Sequence, residues 1–132
     1  MSSWQTIPAM VLSAADRFGD AEAVVDYGDN PPGADGPLRL SFTELAQRIR
    51  KASGAFAEFG VDKGDRVAVW APNSAEWIIA AFGIMAAGGV LVPVNTRFKT
   101  DEAADVVARS GAKAVMVQKG FLGQDFTFVE TV

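Results

Sequence analysis

The sequence predicts an α/β fold with a mainly parallel sheet and helices on both faces, preceded by an N-terminal helix and a β-hairpin. Residues 66–70 and 90–94 are short runs rich in β-branched side chains, which is typical of strands. Residues 73–87 between them are long and apolar, which indicates a buried helix. Two strands joined by a helix form a right-handed crossover and lie parallel in one sheet. A helix over 101–110 and a strand over 113–117 continue the alternation that is typical of this fold class.

Length and charge exclude several classes of protein. With 132 residues the chain has room for one domain and one hydrophobic core. Twelve basic residues stand against sixteen acidic ones, for a net charge of −4, and a nucleic-acid partner would require a basic face. We therefore expect no nucleic-acid partner.

The residue types that are missing limit the possible chemistry. The chain contains neither cysteine nor histidine. Disulfides, thiolate chemistry, Ser-His-Asp triads and histidine-based zinc sites therefore cannot be built from these residues. The first residues lack a basic segment followed by a long apolar core, so we expect no secretory signal and a cytoplasmic location.

One stretch without charge, residues 77–94, has a length near the lower limit for a membrane span. Gly88, Gly89 and Pro93 interrupt it. A buried helix followed by a buried strand is the favoured interpretation, and we expect no transmembrane segment.

Turn and cap residues set the limits of the other elements. Residues 6–18 have helical spacing, and residues 23–27 and 38–42 form the hairpin strands around an exposed connection over 28–37. Ser41 and Glu44 match a capping box that opens a helix ending at Gly60. Thr100 is expected to cap the helix over 101–110. The tail over 118–132 has apolar anchors without a clear period: Phe121, Leu122, Phe126 and Phe128.

The turn after the 66–70 strand is the first place to look for a nucleotide site. It reads Ala-Pro-Asn-Ser and lacks the glycines that let a pyrophosphate approach the backbone. The start of the following helix could bind an anion. The favoured alternative is that Asn73 caps this helix with Glu76 as its capping-box partner.

Acidic and aromatic residues offer weaker candidates. Asp101 and Asp105 are one helical turn apart and could contact Mg²⁺, but solvated helix charge is the favoured interpretation. The same applies to a loose acidic cluster of Asp16, Asp20 and Glu22. Two tryptophans flank the turn at Asn73, and for them buried packing is favoured over a wall of a substrate pocket: Trp70 and Trp77.

The loop Asn95-Thr96-Arg97 is the strongest ligand candidate. It follows the 90–94 strand at the carboxyl edge of the predicted sheet, where open α/β sheets usually bind ligands. Arg97 offers a fixed fork of donors for a carboxylate or phosphate. The alternative is an arginine that pairs with a nearby acid or tethers its own loop.

Three segments, in order, resemble the amino-terminal part of the adenylate-forming enzymes. They are LSFTELAQRIRKASGAFAEFGVDKGDRVAVWAPNSAEW, AAGGVLVPVNTRF and DEAADVVARSGAKAVMV. The family includes acyl-CoA synthetases, aryl-CoA ligases, luciferases and peptide-synthetase adenylation domains. The runs NTRF and Gly-Phe-Leu-Gly over 120–123 resemble actinobacterial acyl-CoA synthetases, including the branch acting on the indanedione propanoate of sterol degradation.

The resemblance implies an activity for a longer protein. Such enzymes join a carboxylic acid to CoA through an acyl-adenylate, using ATP and Mg²⁺. The family's phosphate loop, its acidic ribose-binding motif and the lysine of its C-terminal domain have no match here. We therefore expect residues 1–132 to be the N-terminal subdomain of a CoA ligase, inactive and without a cofactor by itself.

The expected partner is the remainder of the same polypeptide, with a possible homodimer formed through exposed apolar surface. By the same resemblance, Asn95, Thr96 and Arg97 would lie near the CoA nucleotide. The alternative to this interpretation is a free-standing α/β interaction or binding domain without catalytic activity.

Overall fold

A mainly parallel sheet, centred on a strand in which Val67 to Trp70 are buried, organises the structure. The computed structural model describes residues 5–28, 36–118 and 129–130. Its elements in chain order are α1 (Ile7–Phe18), β1 (Glu22–Asp26), β2 (Leu38–Ser41), α2 (Phe42–Phe59), β3 (Arg66–Trp70), α3 (Ala75–Ala86), β4 (Val90–Pro93), α4 (Thr100–Ser110), β5 (Ala114–Val117) and β6 (Val129–Glu130).

The main sheet has the strand order β4-β3-β5-β6. Strands β4 and β5 both pair parallel to β3, with Val67 opposite Leu91 on one side and Ala114 on the other. The predicted parallel sheet and its crossover are therefore confirmed. Strand β6 pairs antiparallel to β5. This strand was not predicted, because the tail over 118–132 has no clear period.

Helices cover both faces of β3. Val67 and Val69 point to one face and pack with Phe56 of α2 and Ile84 of α3. Ala68 and Trp70 point to the other face and pack with Ala103 of α4 and with other apolar side chains. Because alternate residues of a strand face opposite sides, one short strand supports two separate cores. The predicted α/β fold with helices on both faces is confirmed.

Helices α2 and α3 cross at very close range. A Cβ atom added at Gly83 of α3 would lie 2.8 Å from the Cβ atom of Ala52 in α2. Non-bonded carbon atoms do not approach each other so closely, so the crossing of these two helices requires a glycine at this position. The apolar character of the 73–87 segment predicted a buried helix, but it did not indicate this contact.

The hairpin and α1 form a second layer. Strands β1 and β2 pair antiparallel, as predicted, and Arg39 bridges to Glu22 at 2.8 Å. Leu40, Leu45 and Ile49 form the buried centre of a third apolar cluster against α1, β1 and α3. Residues 29–35 of the hairpin connection lie outside the described residues. The four predicted apolar anchors of the tail do as well: Phe121, Leu122, Phe126 and Phe128.

Side-chain caps define the start of α2 as predicted. The Ser41 hydroxyl accepts from the Glu44 N–H, and the Ser41 N–H donates to the Glu44 carboxylate, both at 3.1 Å. The second bond lowers the pKa of Glu44, because it favours the ionised carboxylate. Gly60 ends the helix at a φ of 115°, in the left-handed conformation that glycine tolerates best.

The predicted position of the N-cap of α4, Thr100, was wrong by one residue. The cap position belongs to Lys99, whose backbone is extended, and its side chain makes no capping hydrogen bond. Thr100 already has helical geometry and is the first residue of α4. A threonine next to acidic residues fits either position, so the pattern alone did not distinguish them.

A lysine joins three elements at the amino edge of the sheet. Lys113, just before β5, donates both to the Gly60 carbonyl at the end of α2 and to the Asp65 carboxylate before β3. Asp65 also accepts from the Asp62 N–H at 2.8 Å. The Asp62 N–H first, and then Lys113, lower the pKa of Asp65.

The uncharged stretch over 77–94 divides between α3 and β4, as expected. Within the part of the chain that the structure describes, no helix combines the length and the apolar character needed to cross a membrane.

Candidate functional site

The carboxyl ends of β3, β4 and β5 meet at one edge of the sheet, because these strands are parallel. Three segments follow them there: the turn over 71–74, the loop over 95–98, and Gln118. The structure thus brings the predicted ligand loop beside the turn that precedes α3.

Asn95 shapes the loop that follows β4. Its side-chain oxygen accepts from the Arg97 N–H at 2.9 Å, which closes a local turn. Its backbone carbonyl accepts from the Phe98 N–H and from the indole N–H of Trp70, both at 3.1 Å. The backbone carbonyl of Asn95 therefore attaches the loop to β3, and its side-chain oxygen fixes the backbone of the loop at Arg97.

Arg97 lies at the exposed tip of this loop, and Thr96 beside it is half-buried. No described acidic residue forms an ion pair with the Arg97 guanidinium. With its backbone fixed by Asn95, the side chain can reach an anion at the sheet edge. The ligand interpretation of Arg97 stays a prediction.

The two tryptophans lie on opposite faces of the sheet. Trp70 is 7% exposed and packs in the cluster that includes Val94 and Ala103. Trp77 is half-buried, packs with the core on the α3 face and also borders two surface cavities. Packing is the role that the structure gives Trp70, whereas Trp77 combines packing with exposure to a cavity.

The start of α3 is capped by residues other than the predicted one. The Ser74 hydroxyl accepts from the Trp77 N–H at 3.1 Å, so Ser74 and not Asn73 is the cap. The Asp26 carboxylate of β1 accepts from the Ala75 N–H at 2.8 Å. An acidic group therefore already lies at the start of α3, where the predicted alternative placed an anion.

Two of the acidic candidates form ion pairs with nearby arginines. Asp105 pairs with Arg109 one helical turn later at 3.4 Å, and Glu22 pairs with Arg39. Over the ranges 5–28, 36–118 and 129–130, no three metal-ligating side chains lie together. Asp101 and Asp105 are both exposed on α4.

A cavity of about 270 Å³ opens between the end of β5 and the start of α3. Val69, Trp77 and Met116 form its apolar wall, and Gln118 lies at its rim. The amide oxygen of Gln118 is buried and accepts no hydrogen bond from a described residue. The sequence pattern did not indicate a role for Gln118 or Asp26, although each is a polar residue at the end of a β-branched run.

Comparison with known proteins gives a consistent result. Residues 11–130 match the family described as AMP-binding enzyme. A 3-[(3aS,4S,7aS)-7a-methyl-1,5-dioxo-octahydro-1H-inden-4-yl]propanoyl:CoA ligase of Rhodococcus jostii (strain RHA1) is 42% identical over 91% of this chain and 22% of its own length. The mitochondrial medium-chain acyl-CoA ligase ACSF2 of Mus musculus is 31% identical over 92% of this chain and 18% of its own length.

Solved structures agree on the fold. The N-terminal domain of FACL13 from Mycobacterium tuberculosis superposes with a TM-score of 0.76 at 28% identity, over 86% of this chain and 27% of that one. The N-terminal subdomain of NpsA from Klebsiella oxytoca gives a TM-score of 0.75 at 23% identity, over 87% of this chain and 28% of that one. The chain thus spans about a fifth of the curated relatives' length and about a quarter of these structures.

Proposed function

The chain belongs to the family of AMP-binding enzymes, and from that premise we propose that it is the N-terminal portion of an ATP-dependent acyl-CoA ligase. The observation that carries the proposal is the 42% identity to a CoA ligase along nearly the whole chain, combined with coverage of only 22% of that ligase. The longer polypeptide implied by this proposal is called the parent ligase below.

In the parent ligase this portion supports the active site. The reaction joins a carboxylic acid to ATP as an acyl-adenylate with release of pyrophosphate, after which the CoA thiol displaces AMP. The described residues offer neither a metal cluster nor a glycine-rich phosphate loop. In this proposal, ATP and Mg²⁺ are bound by the remaining residues of the parent ligase, and the chain by itself is inactive.

Arg97 is proposed as the contribution of this portion to CoA binding. The guanidinium is exposed at the carboxyl edge of the sheet, on a loop that Asn95 and Trp70 fix. A fixed fork of donors suits a phosphate group of the CoA nucleotide. Asn95 and Thr96 belong to the same loop, where Asn95 acts through the backbone conformation that it imposes.

The two half-reactions of the parent ligase allow a sharp test of Arg97. Arg97→Ala is expected to raise the KM for CoA by about tenfold to a hundredfold, since a charge-assisted hydrogen bond to phosphate contributes about 1.5 to 3 kcal/mol. ATP–pyrophosphate exchange, which reports adenylate formation alone, is expected to stay unchanged. Lys99→Ala removes a positive charge two residues further on and is the matched control. An unchanged KM for CoA in Arg97→Ala would exclude the proposed contact.

The acid substrate is proposed by analogy with the relatives. One is named as a ligase of an indene-ring propanoate and another as a ligase of medium-chain acyl groups. The higher identity to the first favours a steroid-derived propanoate. ATP–pyrophosphate exchange by the parent ligase with ring-bearing propanoates and linear acids would decide, and a preference for linear acids would contradict this assignment.

Location and association follow from the same proposal. A cytoplasmic location suits an enzyme that consumes ATP and CoA.

The isolated chain exposes large apolar side chains, among them Phe18 and Phe59, so we expect it to self-associate at high concentration. Both named relatives are ligases, and no observation favours the alternative of a free-standing interaction domain.

A further inference from the structure

The side chain of Trp70 joins the end of β3 to the loop that carries Arg97. Trp70 is the last residue of β3, and its ring packs with Val94 and Ala103 on the α4 face of the sheet. The indole N–H donates to the backbone carbonyl of Asn95 at 3.1 Å, across 25 residues of sequence. A tryptophan that is only 7% exposed needs an acceptor for this N–H, so the burial of the ring and the position of Asn95 depend on each other.

The indole hydrogen bond lies where the chain leaves the sheet. The Val94 N–H still donates to the Val69 carbonyl at 2.9 Å, as in the parallel ladder between β3 and β4. Asn95 follows directly, and its carbonyl accepts from a side chain of β3. The loop therefore starts from a point that is fixed on the central strand.

The same apolar cluster holds the other end of the loop. Phe98 is partly buried and packs against the cluster that contains Trp70. Its N–H donates to the Asn95 carbonyl at 3.1 Å, so this carbonyl accepts both from the indole and from the end of the loop. Between these two ends, the Arg97 N–H donates to the side-chain oxygen of Asn95, and the Arg97 side chain is exposed.

We propose that Trp70 is a positioning residue for CoA binding. Its indole N–H fixes the Asn95 carbonyl, and the turn closed by Asn95 fixes the backbone of Arg97. This inference rests on the proposed function, because it requires the contact between Arg97 and CoA in the parent ligase. Trp70 itself contacts no ligand in this proposal, so removal of the indole N–H should affect CoA binding only through Arg97.

Trp70→Phe tests the proposal, because it keeps an aromatic ring in the cluster and removes the N–H. In the parent ligase we expect the KM for CoA to rise about threefold to tenfold, as for the loss of one neutral hydrogen bond. ATP–pyrophosphate exchange, which does not involve CoA, should stay unchanged.

Val106→Ala is the matched control for packing. It removes apolar volume from the same cluster and leaves the indole N–H in place. It should lower the melting temperature of the parent ligase without raising the KM for CoA. An equal rise of the KM in Val106→Ala and Trp70→Phe would show that Trp70 acts by packing alone and would overturn the positioning role.

Combining Trp70→Phe with Arg97→Ala tests the route of the effect. If Trp70 acts through Arg97, the KM for CoA of the double variant should equal that of Arg97→Ala alone. Two effects that multiply would show that Trp70 reaches CoA binding by another route, and they would overturn the proposal.

Hydrogen exchange in the 132-residue chain measures the loop without reference to activity. Trp70→Phe should accelerate exchange of the Arg97 and Phe98 amides at least about threefold, and Val106→Ala should not. In the native chain, the indole N–H of Trp70 should exchange at least about tenfold more slowly than that of the half-buried Trp77. Equal exchange rates of the two indoles would mean that the bond to Asn95 is open in solution and would overturn the proposal without any variant.

The outcomes separate this inference from the proposed function. An unchanged KM for CoA in Arg97→Ala would remove the proposed contact, and the role of Trp70 in CoA binding would fall with it. A raised KM in Arg97→Ala together with an unchanged KM in Trp70→Phe would overturn the positioning role and leave the proposed function intact.

Discussion

The Asp26 carboxylate accepts a hydrogen bond from the Ala75 N–H at 2.8 Å, across 49 residues of sequence. Its other oxygen accepts from the Gly28 N–H, also at 2.8 Å. One side chain therefore closes the turn after β1 and caps the first turn of α3. This contact fixes the hairpin layer against the helix that leads away from the carboxyl edge of the sheet.

Replacing Asp26 should weaken the contact between these layers. We expect Asp26→Ala to lower the free energy of unfolding by about 1 to 2 kcal/mol, because it removes a helix cap and leaves the Ala75 N–H without its acceptor. Asp26→Asn keeps one acceptor oxygen and should lower the free energy of unfolding by less. Urea denaturation of the isolated chain measures both, and Asp20→Ala, at an exposed turn position, should change stability by less than about 0.5 kcal/mol. Equal losses in Asp26→Ala and Asp20→Ala would contradict the capping role.

Two glycines inside helices should respond to alanine in opposite directions. Gly83→Ala would place its Cβ atom 2.8 Å from that of Ala52, so we expect a loss of about 1 to 3 kcal/mol from overpacking. Gly54 in α2 has no atom within 4 Å of an added Cβ atom, and Gly54→Ala should stabilise the chain by about 0.5 to 1 kcal/mol. The same denaturation series compares the two, and a neutral Gly83→Ala would mean that the helices separate without cost.

Asp65 should make stability depend on pH in the acid range. The Asp62 N–H and Lys113 lower its pKa in the folded chain below the ordinary value of 3.8. Its stabilising contribution is therefore complete above about pH 3.8 and is lost as the pH falls through the lower folded pKa. Melting temperatures measured between neutral pH and pH 2 should show that the advantage of the native chain over Asp65→Asn shrinks in that range.

Asp62→Asn is the control for this pH dependence. It removes an equal charge three residues earlier, at an exposed position, and leaves the backbone N–H that Asp65 binds. The difference between this variant and the native chain should not follow the Asp65 profile. A constant difference between Asp65→Asn and the native chain across the acid range would show that the ionisation of Asp65 contributes nothing to stability.

The loop that carries Arg97 should depend on the side-chain oxygen of Asn95. Asn95→Ala removes the acceptor of the Arg97 N–H, so we expect that amide to exchange with solvent at least about tenfold faster. Asn95→Asp keeps an oxygen at the same place and should preserve the turn. Hydrogen exchange followed by NMR distinguishes the variants. Equal protection of the Arg97 amide in all three proteins would mean that other contacts hold the loop.

Local sequence patterns predicted the helices and strands well, because each of these elements depends mainly on residues close together in the sequence. Ser41 and Glu44 form their capping box within one turn of helix, so three residues of spacing were sufficient. The β-branched runs predicted strands β3, β4 and β5 because short runs of β-branched residues favour strands. The two predicted caps that were wrong, Asn73 and Thr100, each stood beside another residue that could occupy the cap position.

The candidate site was predictable in its place but not in its chemistry. Parallel strands send their carboxyl ends to one edge, so the position of Arg97 at that edge followed from the strand pattern. The contact of Trp70 with the Asn95 carbonyl and the unsatisfied oxygen of Gln118 depend on residues far apart in sequence or on burial. Spacing along the chain carries no information about either.

The sequence by itself determined the order of helices and strands, the parallel sheet and the family to which the chain belongs, because these follow from local periodicity and ordered segments. Only the tertiary structure decided how the layers meet. The Asp26 carboxylate accepts from the Ala75 N–H, and Gly83 packs closely against Ala52. Both contacts join parts of the chain that are far apart in sequence. The physical reason is that backbone periodicity is fixed within a few residues, whereas hydrogen-bond partners and close contacts between layers depend on the whole arrangement.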